Sequence, residues 1–515
     1  MATINSVNSA SINTSRISGL ASGLDIDSIV SDMMKAARIP VDKLEQQKQL
    51  LLWQQEDYRT LNKSLYDFRN KAFDMKLNST FLTRKTDSSN ESVATISATA
   101  AAQEGSYTIT VNSLAAGVAK GSSIALADEQ DSNGNTLTLF NQFADFSLRG
   151  YADTDVVMVN INGTDLEFDL GQDTINTVAA KINNANLGVT ASYDSSLNRF
   201  FLTTTATGSE AEIIINSDSA GFFANGSHNS ILNLNIDEAT SYNGKNASID
   251  FGDAVGLEFA ANTVAVNGLT LNLKNTGVTN ITVARDIDAA VTSIKAFVDA
   301  YNETLDTLSG KVLEKRERDF LPLTDAQKKE MSDSEIEKWE TKARQGLLRN
   351  DMLLQNIISD LRGGRSRIVQ GIEGAYNSLT TIGITFGSND YNGKLEINET
   401  ALREALTRDP DSVKKLFTNP GSNEEKGIAV RLYELTANAV KYIADKAGSS
   451  SSFSTVDNSY IGKRLTETNQ AIEKWEKKLE SMENRYYAQF TAMETLINQM
   501  NTQASWLAMQ FGSGS

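Results

Sequence analysis

The sequence predicts an α+β multidomain fold, in which two long terminal helices pair into a coiled coil or helical bundle and antiparallel β-rich domains are inserted between them. Apolar residues recur every seven positions near both ends of the 515-residue chain. The sequence between the ends is rich in Thr, Ser, Asn, Gly and β-branched residues, with alternating apolar and polar positions. Since a domain usually has about 100 to 200 residues, several cores are expected.

The N-terminal heptad stripe follows Pro40. Its members are Leu44, Leu51, Tyr58 and Leu65, seven residues apart, with Leu61 and Phe68 in the complementary register. A shorter apolar stripe, residues 26–37, precedes the proline. Because proline lacks an N–H and disfavours a helical residue before it, we expect the helix to break at Pro40 and to form a hinge there.

The C-terminal stripe is longer. Its members are Leu465, Ile472, Trp475, Leu479, Met482, Tyr486, Met493 and Leu496. A stripe held over several heptads is typical of a helix that packs on other helices. One such stripe would fit an ordinary bundle helix equally well, but two at opposite ends favour arms that meet each other. We therefore predict that both stripes form a coiled coil or a partner interface.

Strand and turn signals dominate the region between the stripes. Alternating runs at 107–111, 156–161, 166–170, 199–203 and 264–266 predict strands, and the pairs Asn162-Gly163, Asn243-Gly244 and Asn267-Gly268 predict turns. Asn-Gly is the residue pair that tight hairpin turns prefer. One helix is predicted at 174–184. The region is therefore predicted to form antiparallel β structure with few helices.

Helical periodicity returns at Asp286. Val291, Ile294, Val298, Tyr301, Leu305 and Leu308 share one face. Capping-box patterns follow at Thr324 to Gln327 and Ser332 to Glu335.

The changes between helical and strand patterns along the chain predict its domains. We predict terminal segments at 1–40 and 485–515, disordered or in short helices, and a helical domain at 41–78 and 287–484. A β-rich domain is predicted at 79–125 and 243–286, and an outer one at 126–242.

Composition argues against several function classes. A net charge of −17 disfavours nucleic-acid binding, which requires clustered cations. The absence of cysteine excludes disulfides and thiolate chemistry, and the only histidine, His228, lies in a Gly/Ser/Asn-rich loop. The calcium-like spacing at Asp131 lacks the loop glycine and the distal glutamate, so a plain turn is predicted. We expect no catalytic residues, no metal and no cofactor.

Membrane signals are also lacking in the sequence. Residues 1–18 contain no apolar stretch after basic residues, and no apolar run approaches the roughly 20 residues of a membrane span. We therefore expect neither a cleaved signal peptide nor membrane insertion. The first seventeen or so residues have no usable periodicity, and we expect them to be disordered in isolation.

Several motifs resemble those of the bacterial flagellar filament cap family, also called hook-associated protein 2. The first is RISGLASGLDIDSIV at 16–30, followed by the Ile39-Pro40 pair and residues 106–115. The most specific is PLTDAQKKEMS at 322–332, continued through 337–351 and similar to Gram-positive members. Residues 379–384, 393–397 and 413–417 complete the match.

This resemblance implies a function and partners. Family members are exported through the flagellar type III apparatus and form a ring-like homo-oligomer at the filament tip, where β-rich head domains form a plate above helical legs. The implied partners are flagellin, hook–filament junction proteins and, before export, a cytoplasmic chaperone. The resemblance also implies that the terminal ends contact flagellin. Two alternatives are another axial flagellar protein, such as a junction protein, and a surface adhesin or glycan-binding protein.

Overall fold

The computed structural model of the protein describes residues 22–387, 393–449 and 457–512. The chain forms two compact units, Met1–Thr80 with Ala290–Ser515, and Phe81–Ala289. We call them the helical unit and the β unit. The β unit is therefore a single insertion into the helical unit, and the predicted α+β class is confirmed. The finer domain boundaries stay a prediction, and the expected disorder of the first seventeen residues lies outside the described residues.

Helices form most of the first unit and little of the second. Within the described residues, the α-helices are α1 (Ile26–Met75), α2 (Leu139–Gln142), α3 (Ala144–Leu148), α4 (Ile175–Asn184), α5 (Ile287–Leu313), α6 (Asp325–Lys329), α7 (Asp333–Arg344), α8 (Met352–Ser366), α9 (Glu399–Arg408), α10 (Pro410–Thr418), α11 (Ile428–Ala447) and α12 (Tyr460–Gly512). Short 3-10 helices lie at Asn78–Phe81 and Thr380–Ile382.

Strands are concentrated in the β unit. In the described part of the chain they are β1 (Arg84–Ser88), β2 (Ala94–Ala98), β3 (Gly105–Ser113), β4 (Ala119–Gly121), β5 (Val156–Ile161), β6 (Thr164–Asp169), β7 (Val189–Asp194), β8 (Arg199–Thr204), β9 (Glu212–Asp218), β10 (Ser241–Asn243), β11 (Ala247–Phe251), β12 (Ala254–Phe259), β13 (Thr263–Val266), β14 (Leu269–Leu273), β15 (Gly277–Arg285), β16 (Ile384–Phe386) and β17 (Leu395–Ile397). The last two form a small hairpin in the helical unit.

The helical unit is built on α1, which packs along both α11 and α12. Helix α1 begins where the side chain of Asp25 accepts a hydrogen bond from the backbone N–H of Ser28. In its second half, the ring of Phe68 contacts Phe297 and Tyr301 of α5 at centroid distances of 5.6 and 5.7 Å. The predicted apolar face of α5 is buried. Both capping boxes, at α6 and α7, are confirmed.

The β unit contains two hydrophobic cores. The first lies between a five-stranded sheet, in the order β1-β15-β3-β11-β12, and a three-stranded sheet, β13-β14-β2. The second lies among a four-stranded sheet, β10-β9-β5-β6, a three-stranded sheet, β4-β8-β7, and helix α4. Within both, the pairings between named strands are antiparallel, and short turns connect four consecutive pairs, β5-β6, β7-β8, β11-β12 and β13-β14.

Two of the three predicted Asn-Gly turns close hairpins. Asn162 and Gly163, at φ 47° and 85°, connect β5 to β6, and Asn267 and Gly268, at φ 49° and 78°, connect β13 to β14. Positive φ at both central residues is the requirement of the type I′ turn. The third pair, Asn243-Gly244, does not join paired strands, because β10 pairs with β9 rather than with β11. The pair therefore separates β10 from β11, as predicted, without closing a hairpin.

Candidate functional site: the terminal helix pair

The two ends of the chain meet as an antiparallel pair of helices. We call residues 26–55 of α1 and 460–494 of α12 the terminal helix pair. At one end Tyr487 Oη donates a 3.0 Å hydrogen bond to Oδ1 of Asp27. At the other end Gln55 Nε2 donates a 2.8 Å bond to Oδ2 of Asp457, just before α12. The predicted meeting of the terminal helices is therefore seen within one chain.

A small apolar cluster holds the pair together. Val41, Ile472 and Leu479 are buried in it, and Met34, Ala37, Leu44 and Trp475 pack around them. Val30, Ala37 and Leu44 continue the N-terminal heptad repeat backward across Pro40. Three of these seven side chains are buried, so the apolar cluster is small.

Pro40 does not end a helix. Helix α1 runs from Ile26 to Met75 with Pro40 inside it, so the predicted break is wrong. Proline removes one backbone hydrogen bond and costs about 3 kcal/mol within a helix. The adjacent Val41 is 0% exposed against α12, and burial of such side chains offsets part of that cost.

The predicted short helices at the two chain ends also need correction. Residues 26–40 belong to the 50-residue α1, and residues 485–512 belong to the 53-residue α12. Packing against α12 continues α1 through Pro40, since Met34, Ala37 and Val41 lie in the cluster shared by the two helices. Propensity alone did not indicate this, because most helical stability in proteins comes from such tertiary packing.

The structure divides the predicted interface residues into three groups. Leu44, Ile472, Trp475 and Leu479 belong to the cluster of the terminal helix pair. Tyr58, Leu61, Leu65 and Phe68 are buried in the helical unit. Leu51, Leu465, Met482, Tyr486 and Met493 are partly exposed, and Leu496 is 57% exposed. Contact of any of these residues with another protein stays a prediction.

The last part of α12 carries an exposed apolar stripe. Leu496, Met500 and Leu507 are 57%, 60% and 46% exposed. Their spacing of four and seven residues places them on one face of the helix. Large exposed apolar side chains in a row are typical of a surface that binds a partner. We call these three residues the α12 stripe.

A cleft opens beside the terminal helix pair. It has a volume of about 540 Å³. Its lining includes the apolar Val30, Met34 and Leu479, the basic Lys35 and Arg38 of α1, and the acidic Glu476, Glu480 and Glu483 of α12. Charged residues that flank an apolar seam are typical of helix–helix packing surfaces.

Ion pairs and a hydrogen bond fix the middle of α1, and the residues that make them lie outside the heptad positions. Asp57, whose side chain is 4% exposed, accepts bonds from Lys311 Nζ at 3.2 Å and from Arg344 Nη2 at 2.8 Å. Gln46 Nε2 donates to the carbonyl of Pro322 at 2.7 Å. These contacts hold residues 314–350 on α1. The sequence showed only an acid next to the heptad residue Tyr58, and the burial of Asp57 is seen in the structure.

Comparison with known proteins identifies the family. A family model described as Flagellar hook-associated protein 2 C-terminus matches residues 244–502, and the corresponding N-terminus model matches residues 22–117. A flagellar hook-associated protein 2 from Halalkalibacterium halodurans is 31% identical over 96% of this chain and 99% of its own. The chain belongs to the flagellar hook-associated protein 2 family. The resemblance inferred from the motifs is thereby confirmed.

Other members of the family are more distant. Flagellar hook-associated protein 2 of Escherichia coli K12 is 25% identical over 96% of this chain and 98% of its own. The crystal structure of the D1-D2-D3 domains of the flagellar cap protein FliD from Escherichia coli superposes with a TM-score of 0.54, at 22% identity, over 80% of this chain and 99% of that one. A model described as Flagellin hook IN motif also matches residues 158–206. The structural likeness supports a shared fold.

Two residues considered for chemistry in the sequence lie in surface loops. His228 is exposed in the loop after β9. Asp131 accepts a 3.0 Å bond from the side chain of Asn135 and backbone bonds from Asn135 and Asn133 at 2.9 and 2.8 Å. These bonds lower the pKa of its carboxyl group, so it closes the predicted turn. Among the described residues, no three or more His, Cys, Asp or Glu side chains cluster in a way that could hold a metal ion. None of the helices described is long and apolar enough to cross a membrane.

Proposed function

We propose that this chain caps the distal tip of the bacterial flagellar filament, where it forms a ring-like homo-oligomer and promotes the folding and polymerisation of exported flagellin. Membership of the hook-associated protein 2 family supports this role. The description of the Escherichia coli structural neighbour as a flagellar cap protein agrees with it. The cap has no chemical step to perform, so its function depends on its surfaces.

Within this chain, the α12 stripe is the structural feature that supports the proposal. A cap must bind the growing end strongly enough to stay and weakly enough to release as each subunit adds. Three exposed side chains, each contributing about 1.5 to 3 kcal/mol when fully buried, fit that requirement better than a large permanent interface. We therefore assign the flagellin contact to the end of α12 that carries Leu496, Met500 and Leu507.

The remaining partners follow from the same role. We propose export through the flagellar type III apparatus, a cytoplasmic chaperone that binds the chain before export, and an extracellular location at the filament tip. The hook–filament junction proteins are the proposed neighbours of the chain before flagellin is added. The helical unit would face the growing end and the β unit would supply contacts between copies.

The test replaces the apolar side chains of the α12 stripe while keeping the helix. The triple variant Leu496→Ser, Met500→Ser, Leu507→Ser removes the apolar face, and the matched control Asn498→Ser, Asn501→Ser changes exposed polar positions between them. In a strain whose own copy is deleted, we expect the triple variant to be exported yet to leave hooks with short or no filaments and flagellin in the medium. The control should restore full-length filaments. Filaments of normal length with the triple variant would contradict the assignment.

A further inference from the structure

A second cleft lies in the helical unit, between the end of α8 and the start of α11. It has a volume of about 380 Å³. Three basic side chains line it: Arg367, which follows α8, Lys426, which precedes α11, and Arg431 in the first turns of α11. A water occupies about 30 Å³ in the liquid, so the cleft has room for a carboxylate group together with several waters.

Arg431 is the unusual member of this group. It is 6% exposed, and its Nη2 donates a 2.9 Å hydrogen bond to the carbonyl of Arg367. Its Nε and Nη1 are buried and, among the described residues, have no hydrogen-bond partner. Guanidinium groups that are removed from water are normally paired with an acid, because an uncompensated buried charge is costly. Arg431 makes no ion pair with a described acidic residue.

The surroundings of Arg431 add positive rather than negative charge. Burial and the nearby Arg367 both lower the pKa of the Arg431 guanidinium. The first turn of α11 contains no acidic residue, so the positive end of its helix dipole is not offset there.

The acids that face the cleft do not supply the missing partner. Glu434 is held by Lys426, with Nζ and Oε2 2.7 Å apart, and its side chain is 47% exposed. Asp360 also lines the cleft, on the exposed side of α8. The cleft therefore combines a buried arginine and a second arginine near the start of α11, with no carboxylate of a described residue bound to Arg431.

We propose that this cleft, with Arg431 as its anchor and Arg367 beside it, is a binding site for a carboxylate group. The carboxylate would accept hydrogen bonds from the guanidinium groups and balance the charge at the start of α11. The carboxylate belongs either to a free ion or to an Asp or Glu side chain of a second copy of the chain. Each copy contains 65 Asp and Glu residues. This site does not depend on the capping function proposed above.

The first experiment measures the unfolding temperature of the full chain in citrate and in NaCl of equal ionic strength, with citrate at about 10 mM, where the general stabilisation by excluded kosmotropic anions is small. We expect citrate to raise the Tm of the native chain by about 2 °C or more over NaCl, since a ligand that binds only the folded state stabilises it. Arg431→Met should remove this difference. Arg367→Met, at an exposed position, should reduce it and keeps the test valid if Arg431→Met does not fold. Arg464→Met, an exposed arginine of α12, is the matched control and should keep the full difference.

Two outcomes would overturn the proposal. In the first, citrate acts no differently from NaCl on the native chain. In the second, Arg431→Met lowers the Tm equally in both buffers while the citrate effect persists, which would make Arg431 only a structural donor to the carbonyl of Arg367. When the citrate effect is present, sedimentation velocity identifies the source of the carboxylate. Dissociation of oligomers by citrate and by Arg431→Met indicates a side chain of a second copy, and unchanged oligomers indicate a free ion.

Discussion

The phenol of Tyr58 donates a 2.6 Å hydrogen bond to Oδ2 of Asp351, 293 residues away in the sequence. Asp351 uses its other oxygen to accept the backbone N–H of Leu354 and so begins α8. One buried contact therefore fixes the position of α8 against the middle of α1. Tyr58 occupies an apolar heptad position, but its hydroxyl group defines a tertiary contact that apolar periodicity does not encode.

Replacing Tyr58 with phenylalanine should lower the free energy of unfolding. The ring still fills its buried site, whereas Asp351 loses one donor, and hydrogen bonds to charged groups contribute about 1.5 to 3 kcal/mol. Chemical denaturation of the full chain measures the loss. Tyr66→Phe, at a 47% exposed tyrosine of the same helix, is the control and should be close to neutral. Equal effects of the two variants would show that the bond to Asp351 has no energetic role.

The same contact predicts a pH dependence. Burial, and then the hydrogen bond to Asp351, raise the pKa of Tyr58 well above its usual value. The unfolded chain ionises this tyrosine near pH 10, so its contribution to stability is complete below about pH 10 and is lost as the pH rises above that value. The stability difference between the native chain and Tyr58→Phe should therefore shrink between about pH 10 and 11. A constant difference across this range would contradict the pKa direction.

Asp57 gives a third prediction, with its neighbour Glu56 as the control. Asp57→Asn leaves Lys311 and Arg344 without their shared carboxylate, and we expect a loss of about 2 to 4 kcal/mol, below the full value of a buried pair because both cations are partly exposed. Glu56 also pairs with Arg344 but is 62% exposed, so Glu56→Gln should cost less than about 1 kcal/mol. Urea denaturation compares the two. A smaller effect at Asp57 than at Glu56 would be inconsistent with the burial described.

The proline within α1 predicts a stabilising substitution. Pro40→Ala restores a backbone donor and removes a clash with the preceding turn, so we expect the free energy of unfolding to rise by about 1 to 3 kcal/mol. Ser31→Ala, at an exposed position of the same helix, should raise it by only about 0.5 kcal/mol. Thermal and urea denaturation give the comparison. A loss of stability at Pro40 would mean that the helix geometry there depends on proline.

The sequence identified the apolar faces of the helices but not which helix covers each face. The heptad repeat correctly placed Leu44, Ile472 and Leu479 in one contact between the chain ends. The same repeat continues to Phe68, whose ring instead contacts α5. Periodicity depends only on the residue's own helix, whereas the choice of partner depends on the tertiary arrangement. Val41 was missed for another reason: a break was expected at Pro40, and Val41 lies outside the heptad positions of the stripe that follows.

Turn prediction succeeded where a local requirement decided the structure. Asn267-Gly268 forms its turn because both residues must adopt positive φ, which asparagine and glycine tolerate best. Gly244 has another role, because a Cβ there would lie 2.4 Å from the carbonyl oxygen of Gly208. The glycine thus permits a close approach of two backbone segments. A dipeptide signal cannot distinguish these two uses of glycine.

Val41 provides the sharpest test of the terminal helix pair. Val41→Ala removes two methyl groups from a side chain that is 0% exposed between α1 and α12, and we expect a loss of about 1.5 to 3 kcal/mol. Ile39→Ala removes more atoms, but Ile39 is 51% exposed, so its effect should be less than about 0.5 kcal/mol. Because the cluster is small, the loss should appear as faster hydrogen exchange in residues 26–45 and 468–490 before global unfolding changes. Equal exchange in the two variants would mean that the ends of α1 and α12 do not pack on each other in solution.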